Sequence, residues 1–171
     1  MKMKISALAI LFGAFTIPAF AQDVTGGESA NSMSLWVTSG FVSKHLDSRK
    51  EPKRRGYNES NEGFGAELQL NRNWGVVLGT YENSYYATTR YVQGVWMPDA
   101  TRTFIGPVAV KLGLAAGVVD GYAKRNHGDW TPAVMPVLSF EWKNLGANIL
   151  FAPSTRGSDP VIALQFKIKA F

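Results

Sequence analysis

The chain has two histidines, His45 and His127, and no cysteine. Thiolate nucleophiles, a disulfide framework and thiolate metal sites are therefore excluded, and two histidines argue against a multi-histidine metal centre. No metal or cofactor is expected. With no thiol present, a hydroxyl is a candidate nucleophile, and histidine is the ordinary base for one. The most suggestive hydroxyl lies in GTYENSYYATTRY (79–91), where Asn83-Ser84 sits inside a cluster formed by Tyr81, Tyr85, Tyr86 and Tyr91. A second group of side chains is cationic. Arg49, Lys50, Lys53, Arg54 and Arg55 precede YNESNEG, with Tyr57 at its head, and Arg90 follows the tyrosine cluster. Guanidinium and ammonium groups of this kind suit phosphate.

Where these groups act depends on where the chain goes. Its N-terminus carries Lys2 and Lys4, an apolar run from Ile5 to Phe15, and Ala19-Phe20-Ala21 as an A-x-A cleavage site. This is the pattern of a secretory signal peptide over 1–21. The run is shorter than the roughly 20 residues a spanning helix needs, and Pro18 interrupts its end. The expected mature chain is a short polar segment, 22–33, followed by a single domain, 34–171, exported by a Gram-negative bacterium. The formal net charge of +5 includes the two leader lysines. An anionic lipid surface is a better partner for such a chain than nucleic acid, which is not expected to bind.

Beyond the leader, period-two alternation dominates. In PVAVKLGLAAGVVDG, Val108, Val110, Leu112, Leu114, Ala116 and Val118 share one face, while Ala109, Lys111, Gly113, Ala115 and Gly117 share the other. Phe64, Ala66, Leu68 and Leu70 likewise oppose Gly65, Glu67, Gln69 and Asn71. Leu145, Ala147, Ile149 and Phe151 oppose Gly146 and Asn148, and Ile162, Leu164, Phe166 and Ile168 oppose Gln165, Lys167 and Lys169. Apolar residues outside and charges inside match a membrane β-barrel. A lipocalin-like soluble barrel would reverse the faces and bury Lys111, Glu67, Lys167 and Lys169 at a cost unless they were paired.

The expected fold is an all-β, eight-stranded antiparallel transmembrane barrel of the outer membrane, a monomer with strands near 34–46, 63–71, 74–83, 87–97, 104–120, 132–142, 145–152 and 161–171. An even strand number puts both termini at the periplasmic end, and eight strands leave an interior mostly filled by side chains rather than a channel. His45 then ends the first upward strand and Asn83-Ser84 the third, so both reach the outer rim, with Arg90 beside them. The tyrosines read as an interfacial aromatic girdle. Phe171 has the aromatic character of a barrel terminus but the opposite parity to Ile168, Phe166 and Leu164, so either the strand ends before it or the assembly signal is weak.

From about Leu35 to Phe171 the chain resembles the PagP-type lipid A palmitoyltransferases of the outer membrane. The resemblance rests on the order of a histidine ending the first strand, GYNESNEGFG in the first loop, the Asn83-Ser84 pair, LGLAAGV, TPAVMPVLSF and FAPS. It implies an enzyme that moves an acyl chain from an outer-leaflet phospholipid to lipid A. His45 and Ser84 match the family's essential histidine and serine, and Asn83 stands where the family has aspartate. Pro132, Pro136 and Pro153 resemble prolines that interrupt strand pairing and open lateral routes for lipid; proline cannot donate to a ladder. The expected catalytic set is His45 as base, Ser84 as nucleophile or oxyanion donor and Asn83 as orienting or oxyanion group. Arg54, Arg55, Arg90 and Tyr57 are the expected substrate contacts.

The chain also departs from the family. QDVTGGESANSMS lacks the apolar face of the family's N-terminal amphipathic helix, and the segment from Ser84 to Trp96 is short, leaving Gly94 a candidate floor for the acyl site by position only. Asp47, two residues beyond His45, is a candidate for the missing charge; Glu82 points away from Asn83. Two other readings stay open: a non-catalytic barrel serving in lipid binding, surface modification or exclusion, and a lipid A deacylase.

Overall fold

Strict alternation lets one strand present an apolar face outward and a polar face inward, and closing such strands on themselves removes every open edge. In the computed structural model, which describes residues 33–47, 55–123, 126–155 and 159–171, the chain does this. Its strands are β1 (Ser34–His45), β2 (Ser60–Gln69), β3 (Trp74–Glu82), β4 (Thr88–Trp96), β5 (Thr103–Ile105), β6 (Val108–Val119), β7 (Thr131–Trp142), β8 (Leu145–Ala152) and β9 (Val161–Lys169). They form one antiparallel sheet in the order β4-β3-β2-β1-β9-β8-β7-β6-β5, closed by pairing of β4 with β6. Setting aside the three-residue β5, the eight longer strands make the barrel. The expected leader, the segment 22–32, and Arg49, Lys50, Lys53 and Arg54 lie outside the described residues.

One expected strand, 104–120, divides. A turn at Gly106 (φ +59°) and Pro107 folds β5 back on β6, pairing Thr103 with Val110 and Ile105 with Val108. The reason is the stagger of the wall. β4 ends at Trp96, opposite Leu114, so the first residues of β6 extend past it and would present an unpaired edge. β5 covers part of that edge. The start of β1 meets the C-terminal residues at the opposite side from the long loops, with Leu35 N donating to Phe171 O at 3.2 Å and Ala170 N to Leu35 O at 2.7 Å. β9 stops at Lys169, so Phe171 lies beyond its alternation and the parity conflict disappears.

The faces fall as the alternation predicts. Val37, Leu78, Leu112, Phe166 and Ile168 are exposed on the outside, whereas Glu67, Asn148, Gln165 and Lys167 are buried inside. This is the reverse of a soluble lipocalin-like barrel. Among the described residues no helix is long and apolar enough to cross a membrane; the apolar surface belongs to the strands.

The interior has two layers. Toward the termini, Lys167 Nζ lies 2.9 Å from Glu67 Oε1 and 2.7 Å from Glu141 Oε1. Gln69 Nε2 donates to Glu141 and Asn148 Nδ2 to Glu67, and the Lys167 ammonium sits over the Trp36 ring at 4.7 Å. Toward the loops the lining turns apolar, with Val77, Val95, Ala115, Val119, Val137 and Leu150 buried around Tyr91.

Room for the Tyr91 ring comes from a glycine pair across β2 and β3. A Cβ on Gly65 or on Gly79 would lie 2.6 Å from the Tyr91 hydroxyl oxygen. Gly79→Ala is therefore expected to overpack this layer and cost about 1–3 kcal/mol, read as a lower denaturant midpoint of the barrel in detergent. An unchanged midpoint would show that the ring does not need this space.

Candidate functional site

His45 reaches the interior because β1 changes register. Ser34, Trp36 and Thr38 face inward; simple alternation would then send Val42 and Lys44 inward and His45 out. An irregularity between Ser39 and Phe41 shifts the phase, so that Phe41, Ser43 and His45 face in. Bulges of this kind re-aim side chains at functional sites. Gly40 sits in the shift, where a Cβ would meet Asn61 O at 2.2 Å.

The His45 ring is 6% exposed. The Tyr57 ring lies flat on it, with centroids 3.5 Å apart and planes 7° from parallel. Glu59 Oε1 approaches Nδ1 to 4.0 Å and accepts the His45 backbone N–H at 3.3 Å, while Lys44 Nζ holds Oε2 at 3.0 Å. Burial raises the Glu59 carboxyl, but the bonds from Lys44 and the His45 N–H outweigh it and hold the group below its ordinary value. Tyr57 donates to Asp159 Oδ2 at 2.7 Å. Burial, then this bond, push the Tyr57 phenol above its ordinary value, so it remains a donor.

Two cavities meet here. One, of about 210 Å³, is walled by His45, Ser84, Tyr85, Tyr122, Pro132, Pro153 and Asp159 among others. The second, of about 110 Å³, runs down the apolar layer past Val77, Tyr91 and Val95 to Glu67 and Asn148. Tyr81, Ser84, Val119, Tyr122, Met135, Ala152 and Val161 line both, so the two adjoin. Ser84 stands at the junction, 8% exposed. Gly94 does not contribute: it lies on the outward face of β4 between buried Gln93 and Val95. The floor is set by the polar layer instead.

The first cavity also passes through the wall. The β7–β8 ladder ends at the Val137–Leu150 pair, although β7 runs on to Thr131 and β8 to Ala152. Pro136 would be the next residue in line and has no N–H to offer. Above it, the exposed, outward-facing Pro132 and Val134, with Pro153 across the gap, line the same cavity as His45 and Ser84. Pro132 and Pro153 thus line the cavity where the β7–β8 pairing has stopped, and Pro136 follows the last pair of the ladder.

Asn83 lies apart from this constellation. It is fully buried, and its amide organises the β3–β4 turn. Oδ1 accepts from Tyr85 N at 2.8 Å and Ala87 N at 3.2 Å, while Nδ2 donates to Thr89 Oγ1 and to Gly121 O, each at 3.0 Å. Both N–H groups are bonded and Asn83 lines neither cavity, so the structure does not bring it together with His45 and Ser84. An aspartate would offer Gly121 O an acceptor where it needs a donor. Asn83→Asp is expected to lower stability by about 1–3 kcal/mol, measured by urea unfolding in detergent. A variant of wild-type stability with raised acyl transfer would restore the catalytic assignment.

The expected substrate contacts separate as well. Tyr57 packs on the site histidine. Arg90 faces outward, where its backbone N and Nε donate to Asp120 Oδ1 and Oδ2 at 2.6 and 2.7 Å and its guanidinium lies 5.6 Å over Trp130. Arg55 covers the Tyr86 ring at 4.5 Å. Both arginines are at the loop end but outside the cavity walls, and Arg54 lies outside the described residues. Asp47 follows β1, half-buried. Glu82 is exposed and accepts from Asn58 Nδ2 at 2.9 Å. Three residues at the site escaped sequence reasoning: Glu59, Tyr122 and Asp159. Only Glu59 carried a signal, its place in the YNESNEG loop that returns toward β1.

Taken together, the site offers a buried imidazole, a hydroxyl at a cavity junction, an apolar channel below and a side opening. Neither a protein-family model nor a curated protein matches this chain.

Proposed function

We propose that the barrel spans an outer membrane and transfers an acyl chain from an outer-leaflet phospholipid to a hydroxyl of lipid A, the activity of the family it resembles. One observation carries the reading: His45 and Ser84 wall a single cavity that adjoins the apolar interior pocket and reaches the outward-facing Pro132 and Val134, where the β7–β8 pairing has stopped. An acyl tail needs an apolar channel, its ester needs a base and a hydroxyl at the mouth, and a lipid needs an entrance from the side. The apolar outer face supplies the membrane contact. Arg90 and Arg55, at the same end, suit lipid phosphates.

In the reaction His45 takes the proton of the acceptor hydroxyl, or of Ser84 in a two-step route. The new ester C–O bond forms as the donor ester's C–O bond breaks, and the proton passes to the departing lysophospholipid alcohol. Mass spectrometry of lipid A from Gram-negative cells with and without the protein tests this. Gain of one acyl mass is the expected result. Loss of one acyl mass would make water the acceptor and the protein a deacylase, and an unchanged spectrum in cells holding the folded barrel would leave a non-catalytic lipid-binding barrel.

A further inference from the structure

We propose that Asp159 is a positioning residue for His45, acting through the Tyr57 ring that links them. The inference rests on His45 being the base of the proposed acyl transfer, and it identifies the carboxylate that was sought at Asn83 and Asp47.

Two contacts connect the groups. Asp159 is 1% exposed and lines the cavity that holds His45 and Ser84. Its Oδ2 accepts the Tyr57 hydroxyl at 2.7 Å. The same Tyr57 ring lies face to face on the imidazole at 3.5 Å, with Tyr85 edge-on behind it at 5.7 Å. The placement follows from the barrel register: His45 pairs with Val161 across β1 and β9, which puts Asp159 just past the partner of the histidine, at the same end of the barrel.

A histidine that works as a base must become an imidazolium in mid-reaction, inside a site that excludes much of the water. An aromatic face stabilises a cation lying against it. A phenol that donates to a carboxylate is polarised so that more negative potential reaches its ring, and the Asp159 charge adds directly. The hydrogen bond also fixes the plane of Tyr57, and the stack then fixes the plane of His45. Asp159 thus supplies orientation and charge without touching the imidazole.

Other groups bear on the same ring. Tyr81, Tyr85 and Tyr122 share its cavity, Glu59 approaches Nδ1 at 4.0 Å with Lys44 bound to its other oxygen, and Asp47 follows two residues on. Glu59 acts from the opposite partner and remains in place when Asp159 is changed, so the contribution of Asp159 can be measured against it.

Because the chain has two histidines, titration by NMR of the histidine-labelled protein in detergent micelles reports His45 directly, with His127→Gln assigning the other signal. Asp159→Asn is expected to lower the His45 midpoint by about 0.5 pH unit or more and leave that of His127 in place. Tyr57→Phe, which keeps the ring and removes the link, should lower it in the same direction and serves alone if Asp159→Asn does not reach the heat-modifiable folded form. A residue that only braced the loop would leave the midpoint of a folded variant where it was. A shift smaller than 0.5 unit, or an upward one, in the folded variants overturns the proposal. The readout needs no turnover: a barrel with the shifted midpoint but no lipid A product would lose the acyl-transfer reading and keep only the coupling of Asp159 to His45 through Tyr57.

Discussion

His45→Ala is expected to reduce acyl transfer by about 10²–10⁴-fold, the usual contribution of a positioned general base. The loss should fall on kcat, since the apolar pocket proposed for the tail is walled by other residues, from Val77 and Tyr91 down to Glu67. Ser84→Ala separates the two routes. If Ser84 carries the acyl group, its loss equals that of His45 and the double variant is no worse, because residues acting as one unit are not additive. If Ser84 donates to the oxyanion, the cost is about 10²–10³-fold and the double variant is worse than either. Lipid A mass spectrometry at matched levels of folded barrel measures each. Full product from both single variants would sink the assignment of this site.

How far such a site can be read in advance differs between its parts. The alternation identified the outward face from Leu112 to Val118, because period two is a property of the strand itself, whereas Val110, where β5 folds back on β6, is buried. The inward placement of Glu67 and Lys167 followed in the same way. Their mutual contact did not, since it depends on which strands become neighbours when the wall closes and on register across the barrel. His45 shows the same boundary. Its place at the strand end was legible, but its inward aim depends on the irregularity at Ser39–Phe41, which leaves only Gly40 as a trace. At Asn83 a local signal was available: asparagine readily accepts from backbone N–H groups two residues on, and Tyr85 N supplies that bond. The likeness to a catalytic pair obscured this simpler role. Asp159 had no motif at all; a carboxylate before the last strand becomes part of the site only once β9 is laid against β1. Extended-strand chemistry is local and visible, whereas a site assembled by closure is not.

Lys167→Met carries the largest expected effect on stability, about 3–5 kcal/mol. The ammonium is fully enclosed and serves two carboxylates, Glu67 at 2.9 Å and Glu141 at 2.7 Å. Methionine nearly matches its volume, so little of the cost comes from packing. It comes from Glu67, 3% exposed, and the half-buried Glu141 losing the ammonium they share. Asn148 and Gln69 still donate to them, but neutral amides cannot balance two negative charges. The physical cause can be isolated by removing the charges together: Lys167→Met with Glu67→Gln and Glu141→Gln should recover most of the lost stability, since a neutral layer has no stranded ion. Guanidinium unfolding in detergent, with wild type, single and triple variants compared at one pH, gives both numbers. A single variant within about 1 kcal/mol of wild type would mean that water already solvates these carboxylates, and the layer would then be a wet floor to the apolar channel rather than a charged plug beneath it.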